Sequence, residues 1–311
     1  MMRSILGVDH VGIGVRDLDR MTDFYAEVFG MRVIASMPEE DHPAMRGLLR
    51  SPRAVHSSRL LGGAEAGMTL ALFRAVEPPP RPIRTDRRYG DIGVAKLCFF
   101  VSDLHGFCGE HAPLLDLKSP EHVATLDGLG EYRFRHASDP EGNLLELVQA
   151  PDPMDYPAAL SSVGVAVTDL ERSLDFYRGV IGLDKLVVPP HEAFSERVDE
   201  VTGCSGAKAR SCLLGSTRGR GMLELVEMVK PRGRSIPFGT QWGDFGYLQL
   251  CLYAGDAQRL AADVVQERLD VLLPLQTIDD PDFPAQFMYL RDPDGVPVEV
   301  LGYPPGSAPG A

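Results

Sequence analysis

Three glutamates stand in runs that are otherwise apolar: Glu146 in Leu145-Glu146-Leu147, Glu224 in Met222-Leu223-Glu224-Leu225-Val226, and Glu299 in Val298-Glu299-Val300. If such a run is a strand in a closed sheet, the carboxylate faces the interior and loses its hydration. It then needs a metal ion, a cationic side chain or hydrogen-bond donors in compensation. Charge alone does not mark such a position, because Glu227, three residues after Glu224, should face the other way on the same strand.

The elements that would position these carboxylates are legible as a repeat. Val11-Gly12-Ile13-Gly14-Val15-Arg16-Asp17-Leu18, with Phe24-Tyr25 and Gly30-Met31, returns 152 residues later as Val163-Gly164-Val165-Ala166-Val167-Thr168-Asp169-Leu170, with Phe176-Tyr177 and Gly182-Leu183. Asp139-Pro140-Glu141-Gly142 before Glu146 returns 153 residues later as Asp292-Pro293-Asp294-Gly295 before Glu299. Two anchors at nearly one offset divide the chain into domains 1–150 and 158–304, joined by a Pro-rich linker at 150–157 and followed by a mobile tail at 305–311. Each half divides again, since Phe99-Phe100-Val101-Ser102-Asp103-Leu104 and Leu252-Tyr253-Ala254-Gly255-Asp256 also lead into helical stretches. Four related units result.

Within a unit the alternation of Val11, Ile13 and Val15 predicts a half-buried strand, after which Asp17 or Asp169 stands at a helix N-cap. Leu170, Leu174, Tyr177 and Ile181 recur at helical spacing, and Gly182 sits where a left-handed C-cap is needed. Strand-like runs at 185–188, 209–214 and 222–228 complete a βαβββ unit, and Asp-Pro-Asp-Gly supplies its last tight turn.

Composition narrows the class of function. A chain of 311 residues with 44% hydrophobic and 24% charged residues reads as a globular protein of two domains. It has no run of about 18 apolar residues for a membrane span, and no apolar stretch after Met1 that would serve as a signal peptide. Five cysteines, Cys98, Cys108, Cys204, Cys212 and Cys251, without CxxC spacing read as reduced residues of a cytoplasmic protein. The net charge of −13 argues against nucleic acid as a partner.

The opening "DHVGIGVRDL…FYAEVFGM", its echo "VGVAVTDL…FYRGVIGL", and the closings "DPEGNLLEL" and "DPDGVPVEV" resemble the vicinal-oxygen-chelate superfamily of glyoxalase, bleomycin-resistance and extradiol dioxygenase-like proteins. The resemblance implies an α+β fold of two tandem glyoxalase-like barrels built from four βαβββ units. It implies a small-molecule substrate, leaves a homodimer open, and gives no reason to expect a membrane. In the family, the first and fourth strands of each unit supply side chains to a divalent metal that chelates neighbouring substrate oxygens as a Lewis acid.

Carried onto this chain, the family pattern points to His10, Glu146, Glu224, Gln249 and Glu299 as metal ligands, with iron, manganese, zinc or nickel as the metal. The remaining positions read Ala71, Lys96 and Ser162. If consecutive units pair, as short connections favour, one barrel holds His10, Ala71, Lys96 and Glu146, and the other holds Ser162, Glu224, Gln249 and Glu299. If the first and fourth units pair instead, His10, Gln249 and Glu299 come together. His10 is then either a ligand or a buried, hydrogen-bonded histidine, and Glu146 either a ligand or the partner of Lys96. Tyr289 stands where extradiol dioxygenases carry an active-site tyrosine, with His136 as its counterpart. Each is a candidate catalytic group, orienting substrate or relaying a proton, or else an ordinary strand aromatic.

The segments 38–52 and 189–207, the second containing a stretch from Phe194 to Gly203 common in glyoxalase-like proteins, are either lids over the barrels or surface excursions. Two functions follow from the resemblance. One is a metal-dependent isomerase, lyase or dioxygenase-type enzyme acting through a chelated enolate or catecholate. The other is a metal-free protein that sequesters a planar small molecule against Tyr289, Trp242 and Phe245.

Overall fold

Each of the four repeats opens with a strand that delivers an aspartate to a helix start. The computed structural model describes residues 5–63, 67–126, 130–149, 158–193, 195–219, 221–237, 239–278 and 284–302. The expected linker at 150–157, the tail at 305–311 and Phe194 lie outside the described residues.

Unit 1 comprises β1 (Ile5–Gly14), α1 (Leu18–Phe29), β2 (Arg32–Asp41), a 3-10 turn (Pro43–Met45), α2 (Arg46–Leu49), β3 (Val55–Gly62) and β4 (Thr69–Glu77). Unit 2 comprises β5 (Gly93–Val101), α3 (Leu104–Glu110), β6 (Asp116–Leu117), β7 (His122–Leu126), β8 (Gly130–Ser138) and β9 (Leu144–Gln149). Unit 3 comprises β10 (Ala158–Val167), α4 (Leu170–Leu174), β11 (Lys185–Ala193), α5 (Ser195–Thr202), β12 (Lys208–Gly215) and β13 (Met222–Lys230). Unit 4 comprises β14 (Gly246–Ala254), α6 (Ala257–Gln266), β15 (Val271–Ile278), β16 (Ala285–Arg291) and β17 (Pro297–Gly302).

Asp17, Asp103, Asp169 and Asp256 each accept a bond from the backbone N–H three residues ahead, as expected of helix caps. Gly30 and Gly182 close their helices at φ 65° and 100°, where only glycine is unstrained. One local expectation changes. The helix after Asp169 is α-helical only to Leu174 and widens into a π turn over Asp175–Ile181, so the spacing of Leu174, Tyr177 and Ile181 marked a buried face without fixing the winding.

The strands form two curled sheets. One runs β15-β16-β17-β14-β1-β4-β3-β2, and the other β11-β12-β13-β10-β5-β9-β8-β6 with β7 on β8. Unit 1 therefore pairs with unit 4, and unit 2 with unit 3. This overturns the sequential pairing that connection geometry favoured. The physical reason lies in the connections themselves. The chain passes from one sheet to the other between β4 and β5 and again between β13 and β14, each time by a long strap spanning 15 positions, whereas β9 and β10 belong to one sheet with only β5 between them.

The straps pair with each other. The Phe245 N–H donates to the Arg81 carbonyl (2.8 Å) and the Ile92 N–H to that of Arg234 (2.9 Å). The Arg234 guanidinium donates to Asp91 at 2.6 and 2.7 Å.

The convex sides of both sheets share the largest core, in which Val11, Ile13, Leu97, Phe99, Val163 and Leu223 pack with Tyr25, Phe29, Tyr177 and Leu260 of the helices. The Asp-Pro-x-Gly turns tie units together as well as reversing the chain. Asp139 accepts from the Tyr25 hydroxyl (3.0 Å), and Asp292 from that of Tyr177 (2.9 Å). The concave sides carry separate clusters, which are covered by the two excursions after β2 and β11. Met45, Leu48 and Leu49 pack with Trp242 and Leu273 on one side, and Val198 packs with Ala209 and Met228 on the other.

Candidate functional site

Strand register determines which side chains meet. In the barrel of units 1 and 4, β1 and β14 run antiparallel with His10 opposite Cys251 and Gly12 opposite Gln249. Glu299 on β17 lies beside Cys251, and Tyr289 on β16 lies opposite Glu299. Ala71, beside Gly12, leaves its corner bare. A Cβ on Gly12 would come within 2.9 Å of Gln249 Cγ, so the glycine provides the space through which the glutamine side chain crosses the barrel floor.

The result is a buried chain of polar contacts. Asp9 Oδ2 lies 2.9 Å from His10 Nδ1, and His10 Nε2 lies 3.2 Å from Glu299 Oε2. Gln249 Nε2 donates to Glu299 Oε2 (2.5 Å), and the Trp242 indole N–H donates to Gln249 Oε1 (2.5 Å). Burial disfavours an imidazolium at His10, but the carboxylates of Asp9 and Glu299 outweigh it and raise its pKa to about 10. Burial, then the Glu299 charge, push the Tyr289 hydroxyl and the Cys251 thiol well above their ordinary values. Both remain protonated neighbours of the carboxylate.

His10 and Glu299 suit a small divalent metal that displaces the imidazolium proton, since a histidine ligand must be neutral at the coordinating nitrogen. Their facing atoms, 3.2 Å apart, have about the separation of adjacent ligands whose metal bonds are roughly 2.1 Å long. A carboxylate on the far nitrogen is what commonly orients a metal-binding histidine. Gln249 does not fit as it stands, because its carbonyl is taken by Trp242 and its N–H₂ faces Glu299. Its oxygen would reach a metal only after the amide turned over and left the indole N–H without that acceptor.

The barrel of units 2 and 3 repeats this frame with different chemistry. Gly164 lies opposite Lys96 and beside Glu224, Ser162 lies opposite Cys98, and Glu146 lies beside Cys98 and opposite His136. Lys96 Nζ is 2.7 Å from Glu146 Oε2 and 2.9 Å from Glu224 Oε2, and His136 Nε2 is 3.5 Å from Glu146 Oε1. Burial alone would lower the Lys96 pKa, yet the two carboxylates hold it well above the ordinary value. Burial would raise that of Glu146, yet Lys96 and His136 hold it below the carboxylate range. A metal does not fit here while the ammonium stands between the two glutamates.

The five expected ligands thus divide between two barrels, with His10, Gln249 and Glu299 in one and Glu146 and Glu224 in the other. Tyr289 and His136 each stand beside the glutamate of their own barrel. Phe245 is not part of the concave cluster, since it lies beneath the Arg16 guanidinium (4.5 Å). The roles of Trp242 as a clamp on Gln249 and of Tyr89 among the unit 2 and 3 carboxylates were missed. The signal was present in Tyr89-Gly90-Asp91-Ile92-Gly93 and Trp242-Gly243-Asp244-Phe245-Gly246, a second pair of repeats 153 residues apart. Asp9, His10 and Cys251 also form a compact trio of ligand types, of which His10 faces Glu299 and Asp9 supports it. An open groove of about 690 Å³ lined by Arg16, Met37, Arg59 and Arg74 contains none of the expected site residues.

Two curled sheets, each built from two repeats whose first and last strands aim polar side chains at one point, define a class of paired βαβββ barrels. The chain belongs to the Glyoxalase/Bleomycin resistance protein/Dioxygenase superfamily, whose profile matches residues 7–147 and 159–300. It consists of two tandem glyoxalase domains. It is 22% identical to glyoxalase I of Saccharomyces cerevisiae, over 94% of this chain and 91% of that protein. The crystal structure of glyoxalase I from Zea mays superposes with a TM-score of 0.60 at 20% identity, covering 96% of this chain and 92% of that one. A putative dioxygenase from Bacillus subtilis gives a TM-score of 0.60 at 16% identity, over 98% and 88%. These likenesses to solved structures are likenesses of fold.

Proposed function

We propose that the chain is a metal-dependent enzyme acting on a small oxygenated organic molecule at the barrel of units 1 and 4, with His10 and Glu299 as metal ligands. The observation that carries this reading is the Asp9–His10–Glu299 chain, in which one carboxylate orients the imidazole toward another at 3.2 Å. A bound iron, manganese, zinc or nickel ion would supply Lewis-acid stabilisation of an enolate or catecholate, which suits isomerase, lyase or dioxygenase-type chemistry. Tyr289, with its hydroxyl kept neutral, donates a hydrogen bond to a substrate oxygen and orients it. Trp242 and Phe287 belong to the apolar cluster that packs against this polar chain, together with Leu48 and Leu49 of the short helix after β2.

Both ligands come from one chain, so a homodimer is not needed to complete the centre. Among the described residues no helix is long and apolar enough to cross a membrane. The cysteine usage suits a cytoplasmic protein.

Elemental analysis of protein purified without chelator tests the proposal, with about one divalent ion per chain expected on the family's metal chemistry. Protein that is free of metal and takes none up on addition would overturn it.

A second reading, a metal-free protein that sequesters a small planar molecule, is favoured by one observation. The Trp242–Gln249–Glu299–His10 chain is fully satisfied by hydrogen bonds without a cation. Ligand affinity retained in excess chelator, without turnover, would support this reading, and affinity that vanished with the metal would exclude it.

A further inference from the structure

In the barrel of units 2 and 3, the point on which first- and last-strand side chains converge is occupied by part of the protein. Lys96 enters from β5, and its ammonium rests 2.7 and 2.9 Å from one oxygen each of Glu146 and Glu224. Its side chain is 4% exposed, against 14% and 21% for the two glutamates, so the cation is the deepest of the three groups. The stem is held in place as well. It lies over Gly164, where an added Cβ would meet Lys96 Cγ at 2.7 Å and Cε at 3.1 Å. Gln249 crosses Gly12 in the same way in the other barrel. The ammonium therefore cannot swing away from the carboxylates without losing both a bare track and its charge partners. Behind it stands the His136 imidazole, with Nε2 3.5 Å from Glu146 and Nδ1 buried with no hydrogen-bond partner among the described residues.

We propose that Lys96 is a built-in replacement for a divalent metal: its ammonium stands where the ion would bind and closes this barrel to metal. Removing that charge would open a site for a divalent cation held by Glu146, Glu224 and His136. Two half-buried carboxylates brought to one ammonium would repel each other, and at least one would tend to protonate, without a cation between them. The structure supplies one positive charge from within, which leaves a surplus of negative charge that a divalent ion would neutralise more fully. Without the ammonium, two carboxylates and an imidazole form a hard, mixed oxygen and nitrogen donor set suited to manganese, iron or zinc. With Lys96 in place, the chain holds one centre open to metal and one filled by its own ammonium. This inference concerns the barrel that the proposed function does not use.

The test is made in a His10→Ala/Glu299→Gln background, which removes the first centre, so that failure here and failure of the proposed function are separable. Manganese is titrated into chelator-treated protein and followed by electron paramagnetic resonance, with circular dichroism as the check on folding. With Lys96 present, no stoichiometric binding is expected. Adding Lys96→Gln should yield binding of one Mn²⁺ per chain, tighter by about tenfold or more than in the lysine-containing protein, and a further Glu224→Gln should abolish it. A Lys96→Gln chain that unfolds in chelator should refold with Mn²⁺. The proposal is overturned if the lysine-containing background already binds an ion that Glu224→Gln removes. It is also overturned if folded Lys96→Gln protein binds none, or if that variant stays unfolded in saturating Mn²⁺.

Discussion

Glu299 has neighbours of four kinds: an imidazole, an amide N–H₂, a thiol and a phenol. The first of these decides whether the pocket holds metal, and substitutions around it should sort accordingly. His10→Ala or Glu299→Gln should abolish metal uptake. Asp9→Asn keeps both ligands but weakens the orientation of the imidazole, and should loosen metal affinity by about 10- to 100-fold in a metal titration. Trp242→Phe removes the indole donor that holds the Gln249 carbonyl, frees the amide to turn its oxygen toward the metal, and should tighten affinity in the same titration. An unchanged or weakened affinity would show that Gln249 acts only as a donor to Glu299.

His56, 2% exposed beside His42 and Trp242, reports on the same cluster through pH. Burial, then the neighbouring His42, lower its pKa to about 4. The folded protein therefore binds this proton less readily than the unfolded chain does. The stabilising contribution is fully present above about pH 6.5 and is lost as pH falls through 6.5 toward 4, amounting to about 3 kcal/mol at most. Thermal unfolding from pH 4 to 7.5 should show this slope in the wild type and a shallower one in His56→Leu.

His10, Glu299 and Glu224 were legible as interior polar groups because each interrupts or begins an apolar run. The clamp by Trp242 was not, because that residue reaches the site from a strap rather than from a barrel strand.

At the scale of elements, the caps could be read directly, since aspartate before a helix and glycine after it answer fixed demands of backbone geometry. The π turn at Asp175–Ile181 could not, because a buried face constrains spacing more weakly than it constrains polarity. Gly12 and Gly164 have a steric role that residue type alone did not reveal. An alanine at either would press on the crossing side chain, Gln249 at 2.9 Å or Lys96 at 2.7 Å, and overpacking of this kind costs about 1–3 kcal/mol. Both substitutions should lower the thermal midpoint. Only Gly12→Ala should also change metal affinity at the His10 centre, because only its strand borders that centre. If Gly164→Ala changed that affinity equally, the two barrels could not be treated as independent.

For the whole molecule, the four-unit architecture was legible from the repeat, while the pairing of units was not. Offsets of 152 and 153 residues identify equivalent positions but say nothing about which equivalent positions share a sheet. The cue lay in connection length, since two long straps flank one short connection. The consequence is testable. His10 lies in the first half of the chain and Glu299 in the second, so neither half contains the proposed centre. Residues 1–150 and 151–311 produced separately should bind no metal at this centre, and mixing or coexpressing them should restore binding. Metal bound through His10 by the first half alone would contradict the pairing.

The most direct measurement is the anomalous diffraction map of a manganese-soaked crystal of the wild-type chain. The account predicts one peak, between His10 Nε2 and the Glu299 carboxylate, and none between Glu146 and Glu224. A map with no peak beside His10, or with its peak on the Lys96 side of the molecule, would contradict it.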